Sequence, residues 1–509
     1  MDETDVLIVG AGPTGLVTAL WLAQAGVRFR IVDAAAEPGT TSRALVVHAR
    51  TLEFYRQLGI VDRVIAAGLH FVAVNLWVHG RHRARAVLGD VGIGISAYPY
   101  MLVLPQDVHE RLLVAELRRL GVEVERGTTV ERLSDREFDV VAELRGPSGA
   151  RSTVVARYVA GCDGAHSMVR RATGVGFPGG TYERTFYVAD VDLESDIDKE
   201  LHVALDAADF TAIFPLAGAR KGRLIGTIRE AALALDRPLG WDDVSGDALR
   251  RLGLRVTGVN WFSTYRVHHR VADRFRAGRC FLLGDAGHIH SPVGGQGMNT
   301  GIGDAVNLAW KLVEVVQRGA PEALLDSYEP ERIAFARRLV ATTDRAFVIA
   351  TRNGAIARFV RLRVVPVLLP IAMRIRAARR FAFRTLSQTA IAYRTSPISV
   401  GELGGLRAGD RLPWVEDVDT AGQDNFASLA ERAWQAHVYG DASPDLRDAC
   451  ARAELPLVEF SWRPGMRRLG FVRDAVYVVR PDGHVGFVGA STALEPLAAY
   501  LERWRGGTS

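Results

Sequence analysis

The sequence predicts an α/β protein of two or three domains. At 509 residues the chain is longer than a single hydrophobic core usually supports. Near its amino terminus an apolar run, a glycine-rich turn and a helical pattern follow one another, which predicts a strand and a helix joined by a tight turn. From about residue 184 to residue 230 the pattern changes to alternating strands, which indicates a second, sheet-based domain.

The amino-terminal pattern is that of a βαβ unit. Strand, helix and second strand are predicted over residues 5–9, 13–24 and 28–33. The turn reads Gly10-x-Gly12-x-x-Gly15, in which Gly12 lets a pyrophosphate approach the backbone and Gly15 lets the helix lie close to the strand. The helix begins at Pro13, which has no N–H group, and the free N–H groups of the first turn from Thr14 onward, with the positive dipole end, favour phosphate. The unit therefore predicts a Rossmann-like dinucleotide-binding domain.

Asp33 narrows the choice of dinucleotide. It ends the second strand, 23 residues after Gly10. A carboxylate at this point suits the hydroxyl groups of an adenosine ribose and repels a 2′-phosphate. The resident dinucleotide is therefore expected to be FAD or NAD rather than NADP.

Composition excludes several partners. The net charge is +5, and the 63 basic residues are spread among 58 acidic ones, so no nucleic-acid-binding face is predicted. The three cysteines form no CxxC pair, and His288 and His290 have no carboxylate or cysteine cluster beside them, so neither a metal site nor a disulfide is predicted. The acidic start of the chain lacks the basic region of a signal peptide, and we expect a cytoplasmic protein.

One stretch, residues 364–373, is almost wholly apolar. It is near ten residues long and contains Pro366 and Pro370, whereas a membrane-spanning helix needs about 20 apolar residues. No transmembrane segment is therefore predicted. We expect a helix packed on the core of its own protein; the alternative is a basic amphipathic helix that touches a lipid surface.

The remaining elements follow from periodicity. Helices are predicted over residues 51–68, 107–120, 301–316 and 492–504. Strands are predicted over residues 122–126, 138–144, 153–160, 185–193, 210–216, 223–228, 279–283, 475–479 and 486–488.

Two glycine–aspartate segments identify a family. The first reads Asp163-Gly164-Ala165-His166-Ser167-x-x-Arg170, and the second reads Gly284-Asp285-Ala286. They resemble the DG and GD fingerprints of the FAD-dependent aromatic hydroxylases, the p-hydroxybenzoate hydroxylase-like class A flavoprotein monooxygenases. The resemblance implies that the cofactor is FAD rather than NAD.

The resemblance also assigns roles to single residues. Asp285 is implied to contact the ribityl chain, and Asp163 is expected to brace Arg170 and the pyrophosphate region. Arg43 resembles the arginine that family members have near the FAD pyrophosphate. Gln106 resembles their glutamine on the ribityl side of the cofactor. The predicted cofactor-binding residues are Gly10, Gly12, Pro13, Thr14, Gly15, Asp33, Arg43, Gln106, Val130 (beside the adenine), Asp163, Asp285, Pro292 (beside the flavin ring), Gly295, and Gly297, Met298 and Asn299 (backbone N–H groups at the pyrimidine edge).

The same resemblance predicts a three-domain layout. A discontinuous FAD-binding domain takes residues 1–75, 100–182 and 270–395, and a β-sheet substrate domain takes residues 76–99 and 183–269. The run Gly409-Asp410-Arg411-Leu412-Pro413 resembles the junction into the thioredoxin-like carboxy-terminal domain of polyketide and phenol hydroxylases, which predicts such a domain over residues 400–509. It has no redox cysteine pair, so its role is expected to be structural or interaction-forming.

The family's chemistry sets the expected function. NADPH or NADH docks transiently and reduces FAD, which then binds O₂ as a C(4a)-hydroperoxide and oxygenates an aromatic ring. The size of the chain favours a polycyclic or polyketide-type substrate and a role in antibiotic biosynthesis or modification, as a monomer or homodimer. Candidate substrate-contacting residues are Tyr187, Phe214, Pro215, Arg229 and Pro292. No catalytic residue is assigned.

Two alternatives stay open. A Baeyer–Villiger or epoxidising flavin monooxygenase acting on a polyketide would use the same scaffold and cofactor. A flavin-binding protein that has lost turnover, and acts as a scaffold, would carry the same motifs.

Overall fold

The computed structural model of the chain describes residues 2–39, 44–87, 91–205, 210–228, 237–244, 246–351, 359–416 and 423–505. Among these residues, mixed α/β layers form two large sheets and a smaller carboxy-terminal sheet. The predicted α/β class with a Rossmann-like domain is confirmed.

The first sheet carries the amino-terminal unit. Its parallel strands lie in the order Cys280–Leu282, Arg151–Gly161, Asp2–Val9, Phe29–Asp33, Glu125–Arg126. Antiparallel strands Arg276–Ala277, Val140–Arg145 and Thr129–Asp135 extend it. Residues 6–8 and 159–160 are fully buried, because helices cover the faces of the parallel strands.

Periodicity predicts part of the helical layer around this sheet. The helices at or near predicted positions are Pro13–Gln24, Ala49–Gln57, Val61–Ala67, Gln106–Arg119 and Gln296–Gln317. The helices that were not predicted are Met168–Ala172, Ala323–Asp326 and Tyr328–Thr351. Two differences matter. The helix predicted over 51–68 is two helices, and the helix predicted from Gly301 begins five residues earlier, at Gln296.

The second sheet has eight strands among the described residues. In spatial order they are His288–Ile289, Val256–Val271, Gly179–Leu193, Lys221–Thr227, Phe210–Pro215, Glu200–Leu205, Ala73–Val78 and Arg81–Val87. Its strand at Ala73 begins three residues before the predicted limit of the substrate domain. The short helix Gly246–Arg251 lies near this sheet, and a three-stranded sheet of Val46–Val47, Met101–Val103 and Leu69–Phe71 lies in the amino-terminal part of the chain.

The carboxy-terminal region has βαβ–ββα order. Strands Leu457–Phe460, Gln435–Tyr439, Val476–Val479 and Val485–Gly489 form one mixed sheet in that spatial order, with only the first pair parallel. Helices Pro444–Arg452, Pro464–Arg468 and Leu494–Arg505 alternate with them. This order is that of a thioredoxin-like domain. A two-stranded hairpin, Glu402–Leu403 with Leu406–Arg407, precedes it.

The apolar stretch near residue 370 differs from expectation. Helices Val365–Arg374 and Arg376–Leu386 occupy it, but several of their large apolar side chains, such as Leu368 and Phe381, are exposed instead of packed on the core. Within the described ranges, no helix is long and apolar enough to cross a bilayer.

Candidate cofactor site

The Gly10–Gly15 turn (the first motif) and the Asp163–Arg170 segment (the second motif) touch one another at the carboxyl edge of the first sheet. Strands Asp2–Val9 and Arg151–Gly161 are parallel neighbours, so the turns after them lie side by side. The Cys162 N–H donates to the Val9 carbonyl over 2.7 Å. Gly10 has a φ of 100°, and any Cβ there would overlap the Cys162 carbonyl oxygen. A glycine is therefore required where these turns meet.

The Gly284-Asp285-Ala286 segment (the third motif) reaches the same sheet edge through a contact with Thr14. A Cβ added to Gly284 would lie 2.7 Å from the Thr14 hydroxyl oxygen, and one added to Gly301 would overlap that oxygen. Strand Cys280–Leu282, which precedes Gly284, is the parallel neighbour of Arg151–Gly161. The Gly10–Gly15 turn and the two glycine–aspartate segments thus converge on one edge of one sheet.

Arg170 ties the second and third motifs together. Its guanidinium donates to the Ala286 carbonyl over 2.7 Å and to the Ala165 carbonyl over 2.8 Å, and it lies 3.8 Å from the centre of the Phe177 ring. Asp163 was expected to brace this arginine. Oδ2 of Asp163 accepts hydrogen bonds from the Met168 and Val169 N–H groups at the start of the helix that carries Arg170, and the negative charge of Asp163 also acts on that arginine.

Asp304, which sequence reasoning missed, fixes the third motif. Its Oδ2 accepts from the Gly284 N–H over 2.9 Å and lies 2.7 Å from His288 Nε2, while Oδ1 accepts from Arg332 Nε over 2.5 Å. Burial alone would raise the pKa of Asp304, but Arg332 and His288 outweigh it and hold that pKa below its usual value. The sequence did hold a signal for Asp304: it is a carboxylate on the buried face of a helical pattern, three residues after Gly301.

The side chain of Asn299 joins separate elements. Its Oδ1 accepts from the His48 N–H and the Thr51 hydroxyl, and its Nδ2 donates to the Val46 and Gly295 carbonyls, each over 2.8–2.9 Å. All four contacts are intramolecular. The prediction gave this residue a backbone role only, so its role in holding residues 294–297, the glycine loop, was missed.

The early start of the helix Gln296–Gln317 changes which N–H groups are available. With Gly295 as N-cap, Gly297 and Met298 lie in the first turn, where N–H groups have no partner within the helix. Asn299 is the fourth helical residue, whose N–H a regular helix uses internally. The predicted contacts through Gly297, Met298 and Asn299 all stay predictions, and the first two have the N–H groups that the helix itself leaves free.

Neutral histidines line the back of the loop. His48 Nε2 lies 2.9 Å from the Gly294 carbonyl, and burial lowers the pKa of His48 to about 4. His290 lies close to Gly297, since a Cβ on that glycine would be 3.8 Å from its ring, and burial lowers its pKa to about 4 as well. Both rings are therefore neutral at physiological pH, and no cluster of metal-ligating side chains occurs in the described ranges.

The remaining predicted residues lie around the first motif. Asp33 Oδ2 accepts from the Ala11 N–H over 2.6 Å, and the Asp33 carbonyl accepts from the Thr128 N–H, two residues before Val130. Gln106 opens its helix, and its N–H donates to the Ala44 carbonyl. Arg43, directly before Ala44, lies outside the described residues.

The site leaves room and polar groups for a dinucleotide. A Cβ on Gly12 or Gly164 would meet no protein atom within 4 Å, so space adjoins the backbone at both turns. Asp163 Oδ1 is buried and has no hydrogen-bond partner among the described residues. Asp285 is exposed between buried Gly284 and Ala286, and Pro292 is exposed before the glycine loop. These features fit FAD.

The predicted substrate residues separate onto two faces of the second sheet. Phe214 packs with Val46 and Met101, on the side of the glycine loop, because Val46 lies against Gly295. Tyr187 packs with Leu224 and Phe262 on the opposite face, in a separate core. Successive strand residues point to opposite faces, so Pro215 also points away from Phe214.

Tyr187 and Pro215 are therefore corrected as substrate contacts. Arg229 lies outside the described residues. On the face of Phe214 the sequence reasoning missed Arg223, a buried arginine bound to both carboxylate oxygens of Asp190 over 2.6 and 2.7 Å.

A Rossmann-like sheet with these three converging turns defines a flavin-dependent oxidoreductase of the aromatic-hydroxylase type. Residues 3–343 match the model of a family described as "FAD binding domain". The match spans more than half of the chain, and the chain belongs to this family.

Proteins that are similar to this chain over its full length are named as monooxygenases or hydroxylases. A 6-methylpretetramide 4-monooxygenase of Streptomyces rimosus is 36% identical over 98% of this chain and 93% of its own. A rifampicin monooxygenase of Rhodococcus hoagii is 31% identical over 99% of this chain and 98% of its own. The solved structure of an anhydrotetracycline hydroxylase of Streptomyces rimosus covers 100% of both chains with a TM-score of 0.78 at 28% identity. The chain is accordingly a flavin-dependent monooxygenase by family.

Proposed function

We propose that the protein consumes NADPH or NADH and inserts one atom of O₂ into a polycyclic aromatic, polyketide-type substrate. The second oxygen atom leaves as water, with two electrons and one proton supplied as hydride by the nicotinamide and the second proton supplied by solvent. The observation that carries the proposal is the convergence of Gly10, Cys162, Thr14 and Gly284 at one sheet edge. Full-length similarity to the 6-methylpretetramide 4-monooxygenase supports the substrate class.

Residues on three segments would hold FAD. The open backbone at Gly12 would receive the pyrophosphate, Asp33 the adenosine ribose, and exposed Asp285 the ribityl chain. Gly297 and Met298 would present first-turn N–H groups, and the positive end of the helix dipole, to negative charge on the ring. When bound, FAD supplies the reductive activation of O₂.

The chain's own work is to place the substrate and to exclude water. Phe214 and Phe186 lie on the same face of the second sheet, as their strand partners Arg223 and Thr227 show by two-residue alternation. Phe214 packs towards the glycine loop. An apolar aromatic wall there would bind a planar ring system and keep bulk water from the reacting atoms.

The decisive experiment uses the purified FAD-loaded protein with anhydrotetracycline as probe. We expect the probe to accelerate flavin reduction by NADPH or NADH at least roughly tenfold, since aromatic hydroxylases couple reduction to substrate arrival. We expect a product that carries one labelled oxygen atom when ¹⁸O₂ is used. Product connectivity separates ring hydroxylation from Baeyer–Villiger or epoxide products. If a panel of polycyclic aromatic compounds changes neither reduction rate nor product mass, the non-catalytic scaffold is favoured.

A further inference from the structure

An exposed apolar surface follows helices Val365–Arg374 and Arg376–Leu386. Six of the thirteen exposed large hydrophobic side chains in the described part of the chain lie in this one segment. They are 52–73% exposed, and we call them the apolar stripe: Phe359, Val367, Leu368, Ile371, Ile375 and Phe381. The spacing of Val367 and Ile371 places them on one face of the helix Val365–Arg374, and Ile375 follows directly after its end. Such a concentration of exposed apolar side chains in one segment indicates an interaction site.

The segment around the stripe carries positive charge only. Between Asp344 and Glu402 the sequence contains eleven arginines, no lysine, and neither Asp nor Glu. The strand Arg81–Val87 packs against the helix Val365–Arg374 and adds exposed Arg81 and Arg83. The stripe is thus apolar in its centre and basic at its border.

Two arginines frame the stripe closely. Arg363 lies in the π-helical turn Val360–Val364, four residues before Val367, and Arg374 ends the helix three residues after Ile371, so the two arginines flank the centre of the stripe in the chain. Both are exposed. Long arginine side chains of this kind bury their stems along apolar surface while the guanidinium reaches polar groups above it.

The charge decides which occupant fits. A second copy of the chain, joined about a two-fold axis, would bring the same arginines face to face with no carboxylate between Asp344 and Glu402 to neutralise them. Nucleic acid would match the charge but leave the aliphatic side chains Val367, Leu368 and Ile371 without partners. An anionic bilayer offers both acyl chains and negative headgroups.

We propose that the apolar stripe docks the protein on the surface of an anionic lipid bilayer. The two helices would lie in the plane of the headgroups, with Val367, Leu368 and Ile371 inserted towards the acyl chains and Arg363 and Arg374 at the phosphates. The docking surface goes beyond the monooxygenase reaction and does not depend on it.

The test is sedimentation of the FAD-loaded, full-length protein with vesicles. We expect wild type to pellet with vesicles of equimolar phosphatidylglycerol and phosphatidylcholine, and to stay in solution with phosphatidylcholine alone. Each arginine at an anionic surface is worth about a fivefold change in partitioning, so Arg363→Gln with Arg374→Gln should weaken binding roughly 30-fold. Val367→Glu with Ile371→Glu should abolish it.

Phe138→Glu is the matched control, because Phe138 is 72% exposed and lies far from the stripe in the chain. It should pellet like wild type, and all variants should keep FAD, which shows that they fold. Wild type that ignores both kinds of vesicle, or binds both equally, overturns the proposal. So does a wild-type dimer that Val367→Glu with Ile371→Glu converts to monomer without any vesicle effect, which would make the stripe an interface between copies.

Discussion

The carbonyl oxygen of Cys162 occupies the space where a side chain on Gly10 would begin. The two residues are 152 positions apart in the chain and follow neighbouring parallel strands. Gly12, two residues later, has no protein atom within 4 Å of an added Cβ. The same motif therefore contains one glycine that the protein's own packing requires and another whose open side adjoins the proposed pyrophosphate position.

Alanine substitutions should separate these two glycines. Gly12→Ala should fold with an unchanged midpoint of thermal unfolding as apoprotein but lose FAD on purification, because its methyl group fills only the space for the cofactor. Gly10→Ala should be destabilised by more than about 4 kcal/mol, since it adds a backbone overlap to a positive φ. Flavin absorbance and circular dichroism measure the two effects. A yellow, fully loaded Gly12→Ala protein would contradict the assignment.

Asp285→Ala should weaken FAD binding while leaving the fold intact. Asp285 is exposed between two buried residues, so its removal opens no cavity. The loss of a charged hydrogen-bond acceptor corresponds to a roughly 10–100-fold rise in the Kd of FAD, measured by fluorescence titration of the apoprotein. Asp326→Ala, on another exposed carboxylate, is the control and should bind FAD as wild type does.

Asp304→Asn should destabilise the protein because it leaves the charge of Arg332 buried without compensation. Both side chains are inaccessible to solvent, and breaking a buried pair costs about 3–5 kcal/mol. Asp326→Asn removes the same charge from a pair in which the aspartate is 70% exposed, and should cost about 1 kcal/mol or less. Urea unfolding compares the two. Equal costs would show that Asp304 does not hold the turn at Gly284.

Phe214 and Tyr187 should respond differently to substitution, because they lie on opposite faces of the second sheet. Phe214→Ala should raise the KM for the aromatic substrate roughly tenfold or more by removing apolar contact area. Tyr187→Leu should lower the free energy of unfolding by about 0.5–3 kcal/mol with KM unchanged. Steady-state kinetics beside thermal unfolding tests both. If the Tyr187 substitution changed KM and the Phe214 substitution did not, Tyr187 would again be the predicted substrate contact.

The sequence was sufficient where short motifs encode local geometry. The strand, turn and helix around Gly10, Gly12 and Gly15 lie within one residue of expectation at the helix and within three at the strand. The positions of Asp163 and Asp285 came from resemblance to a family rather than from local physics. That resemblance implied a common site, and the structure then supplied the contacts through Arg170 and Thr14.

The parts of the fold and of the site that the sequence did not predict depend on contacts between residues far apart in the chain. Asp304 and Arg332 lie on different helices, and nothing in either helical pattern pairs them. Gly297 and Gly301 disfavour a helix, so its start was predicted too late; Gln296 and Asn299 hold that first turn through Gln388 and Val46. The apolar run at residues 364–373 matches a core helix and an exposed one equally, because periodicity does not reveal what covers a face.

Acid should destabilise the protein through its buried neutral histidines. Burial lowers the pKa of His48, His109 and His290 from 6.5 to about 4. Because the unfolded chain binds their protons first, their contribution to stability is complete above pH 6.5 and is lost as the pH falls towards 4. Near pH 5 each such histidine adds about 1.4 kcal/mol per pH unit to the slope of the unfolding free energy.

Tyr55 Oη lies 2.7 Å from His109 Nε2, so His109→Gln can keep that hydrogen bond and should remove one histidine's share of the slope. His166→Gln, the same substitution at an exposed position, is the control for the change of residue type. Urea unfolding at pH values from 7 to 4.5 measures the slopes; if His109→Gln and His166→Gln behave alike, His109 is not a buried neutral histidine.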